Sequence, residues 1–302
     1  MDDPRKPWCG AAGWQAADWA ELRNGFGGRR PAVLEVLAQF VDCVEIDSTR
    51  DGPLKPESAH VWLRRVAANP RFQFNPVLAR QFTHDRNLRR DDVLKWIEGI
   101  RPLFEAGKLG CLVMEFPWAF RFTVENRAHL IELRRTFRGF PLVAEFRHES
   151  WLREEAQGTL IDFRVGFVNV DQPAYFRAMP PTALLTSPVG YVRLHGRTGV
   201  EWFRDFAPRS PRPSHLYAPE ALNEWTERIE KLQTHAGMLY IAATDPNGML
   251  GLLHALRLRS LLEREFHRAP PALLKRYWDE LAGFSAAKPV QGSLSPAMLA
   301  VA

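Results

Sequence analysis

The chain has 302 residues, of which 46% are hydrophobic and 25% charged, enough apolar residues to bury a large core and too many for a disordered or low-complexity chain. Its formal net charge of +5 and pI near 9.3 favour anionic partners, although arginine pairs such as Arg64-Arg65 and Arg134-Arg135 fall inside helical patterns, where a solvated helix face is the plainer reading. The first residues, Met1 to Lys6, lack the apolar stretch of a secretory signal and no uninterrupted apolar run could span a bilayer, so the expectation is a cytoplasmic protein with no membrane partner.

Trp8 to Ala11 reads as a first strand running into Gly13-Trp14, where glycine permits either a close backbone approach to a ligand or a plain tight turn. Pro31 opens a short helix, Val41 to Ile46 forms a second strand, and Pro56 to Ala68 a second helix that Asn69-Pro70 stops. Phe72 to Asn75 is the third strand. After Thr83-His84, a helix from Asp91 carries Val93, Ile97, Ile100 and Phe104 at helical spacing. Leu109 to Phe116 is the fourth strand, Val124 to Phe137 an amphipathic helix that Gly139 ends, and Leu142 the start of a fifth strand whose apolar run ends in the charged Glu145-Phe-Arg-His-Glu149. The helical signal beyond Trp151 is weak. Val165 to Val170 is the sixth strand, followed by a connection too rich in proline for a long helix.

Gly190 to Arg197 is the seventh strand, with Tyr191, Arg193 and His195 on one side by alternation. The loop from Trp202 to Tyr217, rich in aromatics and proline, suits a lid. Pro219 starts a helix through Leu232, Met238 to Ala243 is the eighth strand, and helical segments follow from Gly248 to Leu262 and from Leu273 to Leu281. Cys9, Cys43 and Cys111 lack CxxC spacing and each lies in a short apolar run, so buried reduced thiols are expected rather than disulfides or metal ligands.

About eight short strands separated mostly by helix-sized segments predict an α/β protein with a single TIM-type (β/α)8 barrel over residues 1–283, with irregular helices after strands 5 and 6. Residues 284–302 read as a disordered tail. A doubly wound sheet is the alternative, but nothing resembling GxGxxG follows the first strand. Glu45, Asp47, Asn75, Glu115, Glu145, Arg147, Asn169, Asp171, Arg193 and His195 all fall near the C-terminal ends of strands on faces matched by parity. A barrel would gather them on one rim, as a ligand pocket or as a buried ionic layer that merely fills it.

These motifs resemble the YecE-like family, also known as domain of unknown function 72. The residues that carry the resemblance are the Gly10 to Trp14 turn, Val44-Glu-Ile-Asp-Ser-Thr49, Thr83-His84, Glu145-Phe-Arg-His-Glu-Ser-Trp151, Asp171 and Tyr191-Val-Arg-Leu-His-Gly-Arg197. The resemblance covers roughly Trp8 to Leu262 and implies a TIM-type barrel without an established reaction. The chain also departs from the family. The usual Glu-Ile-Asn-Ser-Thr-Phe-Tyr becomes Glu45-Ile-Asp-Ser-Thr-Arg50, the usual Phe-Asn-Asn-Asp after the last strand becomes Ala242-Ala-Thr-Asp245, and the usual Gln before the Phe116 position becomes Glu115.

The leading expectation is a hydrolase- or lyase-like enzyme acting by general acid–base chemistry on a small polar anionic ligand, phosphorylated in one version. His195 is the proton-transfer candidate, with Asp171 as its orienting carboxylate and Glu145 as partner base or as the support of Arg147. Arg147, Arg193 and Arg197 would clamp the anion, and Glu45, Asp47, Asn75, Glu115, Trp14, His84, Trp202 and Asp245 would line the site. The alternative is a barrel that binds an anionic metabolite or a nucleic acid without chemistry, using Trp14, Trp151, Trp202 and Tyr217 as stacking surfaces. A second alternative is a hydrolase with a divalent metal among His84, His148, His195 and the carboxylates, or a glycosidase using Glu115 and Glu145. No cofactor is expected, since no HxH or HExxH spacing supports the metal. The oligomeric state is left open.

Overall fold

The computed structural model describes residues 6–14, 19–24, 26, 31–199 and 213–282. The expected tail, Trp202 and most of the expected lid lie outside the described residues. Eight strands are present: β1 (Trp8–Ala12), β2 (Cys43–Ile46), β3 (Gln73–Pro76), β4 (Leu112–Glu115), β5 (Leu142–Glu145), β6 (Val165–Asp171), β7 (Val189–Leu194) and β8 (Met238–Ala243). All pair in parallel, in the order β3-β2-β1-β8-β7-β6-β5-β4. Isolated parallel bridges from Phe74 to Leu109 and from Val77 to Val113 join the two edges, so the sheet curls into a nearly closed TIM-type barrel.

The seam has a local cause. Pro76 has no N–H to give between those bridges, and the side chain of Asn75 accepts the Cys111 N–H at 3.1 Å instead. The Gly110 N–H donates to the Phe74 carbonyl at 2.9 Å as part of the Leu109 bridge, and continuous pairing in β4 begins at Leu112 rather than at Leu109.

The helices are α1 (Trp19–Leu22), α2 (Val33–Leu37), α3 (Pro56–Arg65), α4 (Arg80–Thr83), α5 (Arg90–Glu105), α6 (Val124–Thr136), α7 (Glu154–Asp162), α8 (Pro219–Gln233), α9 (Gly248–Glu263), α10 (Pro271–Arg276) and α11 (Trp278–Leu281). Their starts follow from local chemistry. Pro56, Pro219 and Pro271 stand in the first turns of α3, α8 and α10, where a missing N–H costs nothing. Thr123 caps α6 by accepting the Asn126 N–H, and Asn247 caps α9 by accepting that of Leu250. The segment expected as one helix from Leu273 to Leu281 breaks at Tyr277, whose φ of −131° and ψ of 45° are not helical. After β5 come a 3-10 turn, Glu149–Leu152, and α7. The proline-bearing connection 172–188 after β6 contains no helix.

Strand residues are buried on both faces, as expected where helices cover the outside and side chains fill the inside. The apolar lower interior holds Trp8 beside Tyr240, ring centroids 5.3 Å apart, with Cys43, Cys111, Val113 and Val143. All three cysteines are free and buried, and burial, then the charge of Asp42, pushes the Cys9 thiol up to about 12. They are inert thiols. No described helix is long and apolar enough to cross a membrane.

Candidate functional site

The upper interior turns from apolar to ionic at Arg193. Register sets it there: Tyr191 pairs with Tyr240 and Arg193 with Ala242 on β8, so β7 points Tyr191 and then Arg193 into the barrel. The guanidinium is 1% exposed and reaches carboxylates on three other strands. Nη2 donates to Glu45 Oε2 at 2.9 Å, Nη1 donates to Glu145 Oε2, and Nη1 lies 3.6 Å from Glu115 Oε2. Below it the Tyr191 hydroxyl donates to Glu45 Oε1 at 2.9 Å and accepts from the Asn75 amide at 3.3 Å.

Glu115 and Glu145 pair across the β4–β5 ladder, which places their carboxylates side by side. Arg147, two residues past β5, donates from Nε to Glu145 Oε1 at 3.1 Å and from Nη2 to Glu115 Oε1. Arg50 completes the set from the 3-10 turn Asp47–Arg50, its Nη2 2.6 Å from Glu115 Oε2. That turn is pinned because the buried Thr49 hydroxyl donates toward the carbonyls of Ile46 and Val77, 2.6 and 2.8 Å away, while the Trp96 indole donates to the Thr49 carbonyl at 3.1 Å. Arg50 and Glu115, each a departure from the family pattern, therefore compensate one another.

Three guanidiniums face three carboxylates, so the cluster is balanced in charge. Burial would push Glu115 up, but Arg50, Arg147 and Arg193 together outweigh it and hold the carboxyl well below the usual range. The same contest leaves Glu145 well below that range, with Arg193, His195 and Arg147 overcoming burial. Glu45 shifts the other way: burial dominates, Arg193 opposes it, and nearby Asp47 adds to the rise. Exposure grades upward. The side chains of Glu45, Glu145, Arg193 and His195 are at most 1% exposed, against 10% for Glu115, 11% for Arg147 and 25% for Arg50. Arg50, Glu115 and Arg147 are the members of the cluster nearest solvent.

His195 sits just past β7 with both ring nitrogens engaged. Nε2 lies 2.9 Å from Glu145 Oε2, and Nδ1 is within hydrogen-bond distance of the Thr244 hydroxyl. The carboxylate beside His195 is thus Glu145, not Asp171, and Thr244, where the family pattern has an amide, supplies a hydroxyl on the opposite side. With Glu145 ionised, Nε2–H is donated to it and Nδ1, beside the Thr244 hydroxyl, is the basic nitrogen of the neutral ring.

Asp171 and Asn169 lie on the other side of the sheet. On β6 it is Val168 and Val170 that pair with Tyr191 and Arg193, so Phe167, Asn169 and Asp171 face the helices. Asp171 accepts from Arg197 Nε at 3.0 Å and from the Trp225 indole of α8 at 2.9 Å, and Arg197 also reaches Glu224 at 3.4 Å. Asn169 holds the loop after β6 through the Leu184 carbonyl and N–H and the Thr182 hydroxyl. Arg197 is therefore not part of an anion clamp with Arg147 and Arg193.

Other expected lining residues are spread out. Trp14 packs edge-on against Trp62, centroids 4.8 Å apart, outside the barrel. Trp151 is fully buried, stacked 3.8 Å from Phe146. Tyr217 is buried and its hydroxyl accepts the Gly196 N–H at 2.9 Å. Asp245 binds the Ser214 hydroxyl and the N–H groups of His215 and Asn247 at 2.8 to 2.9 Å, tying a loop to the start of α9. Asp47 lies against Gly13, its Oδ2 2.5 Å from where a Cβ would stand, and the φ of +67° there also favours glycine. His84 remains near the rim, its Nδ1 2.9 Å from the Thr83 hydroxyl, and burial followed by Arg80 pulls its pKa down to about 4. The sequence reading passed over Arg50, Tyr191 and Thr244. Their signals were the two departures from the family pattern and, for Tyr191, its shared parity with Arg193.

A two-carboxylate glycosidase needs one of its pair protonated, whereas Glu115 and Glu145 are both held ionised by guanidiniums. For a metal, the one group of three converging ligand residues among the described residues is Glu263, Glu265 and His267, away from the rim. Glu263 there is already paired with Lys6, Arg259 and His267 at 2.7 to 3.0 Å.

Residues 8–276 match the family described as protein of unknown function DUF72. The chain is also similar in structure to a DUF72 family protein of Enterococcus faecalis V583, solved twice. One structure gives a TM-score of 0.72 at 21% identity, covering 86% of this chain and 96% of that one, and the other a TM-score of 0.68 at 21% identity, covering 76% and 93%. A DUF72 family protein of Thermotoga maritima MSB8 gives a TM-score of 0.67 at 24% identity, covering 84% and 99%. At these identities the likeness concerns the fold. No curated protein matches the chain.

Proposed function

The chain belongs to the DUF72 family, and from that premise we propose that its barrel rim binds a small polar ligand bearing an anionic group and exchanges a proton with it through His195. The observation that carries this reading is the line from Glu145 through the imidazole to the Thr244 hydroxyl. Glu145 is held ionised, so it orients the ring and stabilises the imidazolium that forms when the ring takes a proton. The ligand enters at the least buried members, Arg50, Glu115 and Arg147. Because each guanidinium already faces a carboxylate, an anion must displace Glu115 from Arg50 and Arg147, and the freed carboxylate can accept from a ligand hydroxyl. A ligand with both an acid group and hydroxyls fits this balance better than a bare anion.

The test is a panel of phosphate and carboxylate esters assayed with the native protein and with His195→Asn. General acid–base catalysis contributes about 100- to 10,000-fold, so turnover of a responsive ester should fall by at least about 100-fold in the variant while inorganic phosphate binds as before. If no ester is turned over, or turnover survives the substitution, the acid–base reading is lost.

A further inference from the structure

A second group of rings lies on the rim, where the segments after β4, β5 and β6 meet. Trp118 follows β4, His148 follows β5, and Tyr175 and Phe176 belong to the connection after β6. The Trp118 and His148 rings meet edge-on with centroids 5.3 Å apart, and Tyr175 stands edge-on to Trp118 at 5.5 Å. Tyr175 is 45% and Phe176 74% exposed, an unusual outlay of aromatic surface in two consecutive residues. The loop is fixed rather than trailing. His148 bridges to Ala178, the Glu149 N–H donates to the Arg177 carbonyl at 2.9 Å, and Arg177 holds a φ of +54°.

Two buried donors in this group have no acceptor within the protein: Trp118 Nε1 and His148 Nε2. The tautomer of His148, which is 1% exposed, follows from its other nitrogen. Nδ1 accepts the Ser150 N–H at 3.1 Å, so in the neutral ring the proton is on Nε2. The ring stays neutral because burial, with help from Arg121 and Arg177, lowers its pKa. Both orphaned groups are therefore donors, and a buried donor left unpaired costs about 1–3 kcal/mol. Arginines stand near them, one already paired with a carboxylate. Arg121 lies 5.1 Å over the Trp118 ring, Arg153 is exposed nearby on the chain, and Arg177 is held at 2.7 Å by Glu149.

We propose that this ledge is a base-stacking site for single-stranded nucleic acid, with Phe176 offering its ring face, Trp118 Nε1 and His148 Nε2 donating to a base carbonyl, and Arg121 meeting phosphate. Donors alone, with arginine beside them, call for acceptors and an anion together, which a nucleotide supplies, whereas a neutral sugar offers hydroxyl acceptors but no anion. Rings this exposed cannot enclose a free small molecule, which a pocket usually buries by 70–90% or so. A strand gains the remainder from neighbouring nucleotides, and the net charge of +5 favours its backbone.

The experiment is fluorescence anisotropy of a labelled oligothymidylate at low and physiological salt, with uridine monophosphate and a neutral oligosaccharide as competitors. Native protein should bind the oligomer, and both Phe176→Ala and Trp118→Phe should weaken it by about fivefold to a hundredfold. Trp118→Phe keeps an aromatic face, smaller than the indole, and removes the N–H donor, and unchanged melting temperatures will show that both variants fold. Arg121→Gln should weaken binding and flatten its salt dependence. Absence of binding by the native protein, or binding indifferent to both ring substitutions, would overturn the proposal. Competition by the monophosphate or the oligosaccharide as strong as by the oligomer would overturn the assignment to a strand.

Discussion

Two sets of polar residues stand at the C-terminal ends of the strands, and they do opposite things. The inward set, Glu45, Glu115, Glu145, Arg50, Arg147, Arg193 and His195, binds strands to one another across the barrel. The outward set fastens the barrel to its shell: Asp171 to Arg197 and Trp225, and Asp245 to Ser214 and His215, joined from within α9 by His254, which accepts the Tyr217 N–H at 3.2 Å. A charged residue at a strand end therefore says little about function until its face is known. The inward set converges on the barrel interior, where its members meet one another.

The largest separation between the sets should come from Arg193→Met. Removing one partner of a buried ionic network costs about 3–5 kcal/mol, here because Glu45 and Glu145 would lose their shared guanidinium. Urea unfolding measures this, and a loss under about 1 kcal/mol would mean that solvent already screens the cluster.

Acid should undo the two sets in different windows. Burial, then Arg257, pulls the His254 ring down to about 3, so it stays neutral in the fold while the unfolded chain takes up a proton below about 6.5. Its contribution is complete above pH 6.5 or so and declines as the pH falls toward 3. Glu115 and Glu145 are depressed carboxyls, so their contribution is complete above the ordinary glutamate value of about 4.3 and is lost only below it. Stability against pH should show a first decline that His254→Gln reduces, and a steeper one below about pH 4.3 that it leaves in place. The two together amount to a few kcal/mol, on the order expected for linked titrations.

A smaller effect tests the compensated pair. Arg50→Phe and Glu115→Gln should each destabilise, while the double variant should cost less than the sum, with a coupling of about 1 kcal/mol in a double-mutant cycle. Strict additivity would separate the two departures again. Smallest is Glu224→Gln in the outward set, which removes the second, half-exposed carboxylate from Arg197 and leaves Asp171 in place, for a loss of about 0–1 kcal/mol by thermal melting and no effect at the rim.

The strands and the inward parity of β2, β4, β5 and β7 were legible in the sequence because each run ends in a charge whose neighbours two residues apart share its face. β6 carries the same mark in Asp171, and there the charge faces outward. Its seven residues are all buried, so alternation could not tell core from shell, and Asn169 and Asp171 went to the wrong side. What settles it is register, Val170 opposite Arg193, a relation between strands rather than within one. Trp14 and Asp245 misled for a related reason: a residue just past a strand end can turn outward as easily as over the rim. Arg50 and Thr244 drew notice as departures, but nothing local names Glu115 or His195 as their partners.

Arg193 also bears on how the chain can be divided. Its carboxylates Glu45 and Glu145 precede it by 148 and 48 residues, so a cut after α7 would leave Glu45, Glu115 and Glu145 on one fragment and their central guanidinium on the other. Each half alone carries an unmatched buried charge, and neither can close favourably by itself. The two fragments hold complementary halves of one lock, which discourages a half-barrel from persisting alone and favours its reunion with the missing half.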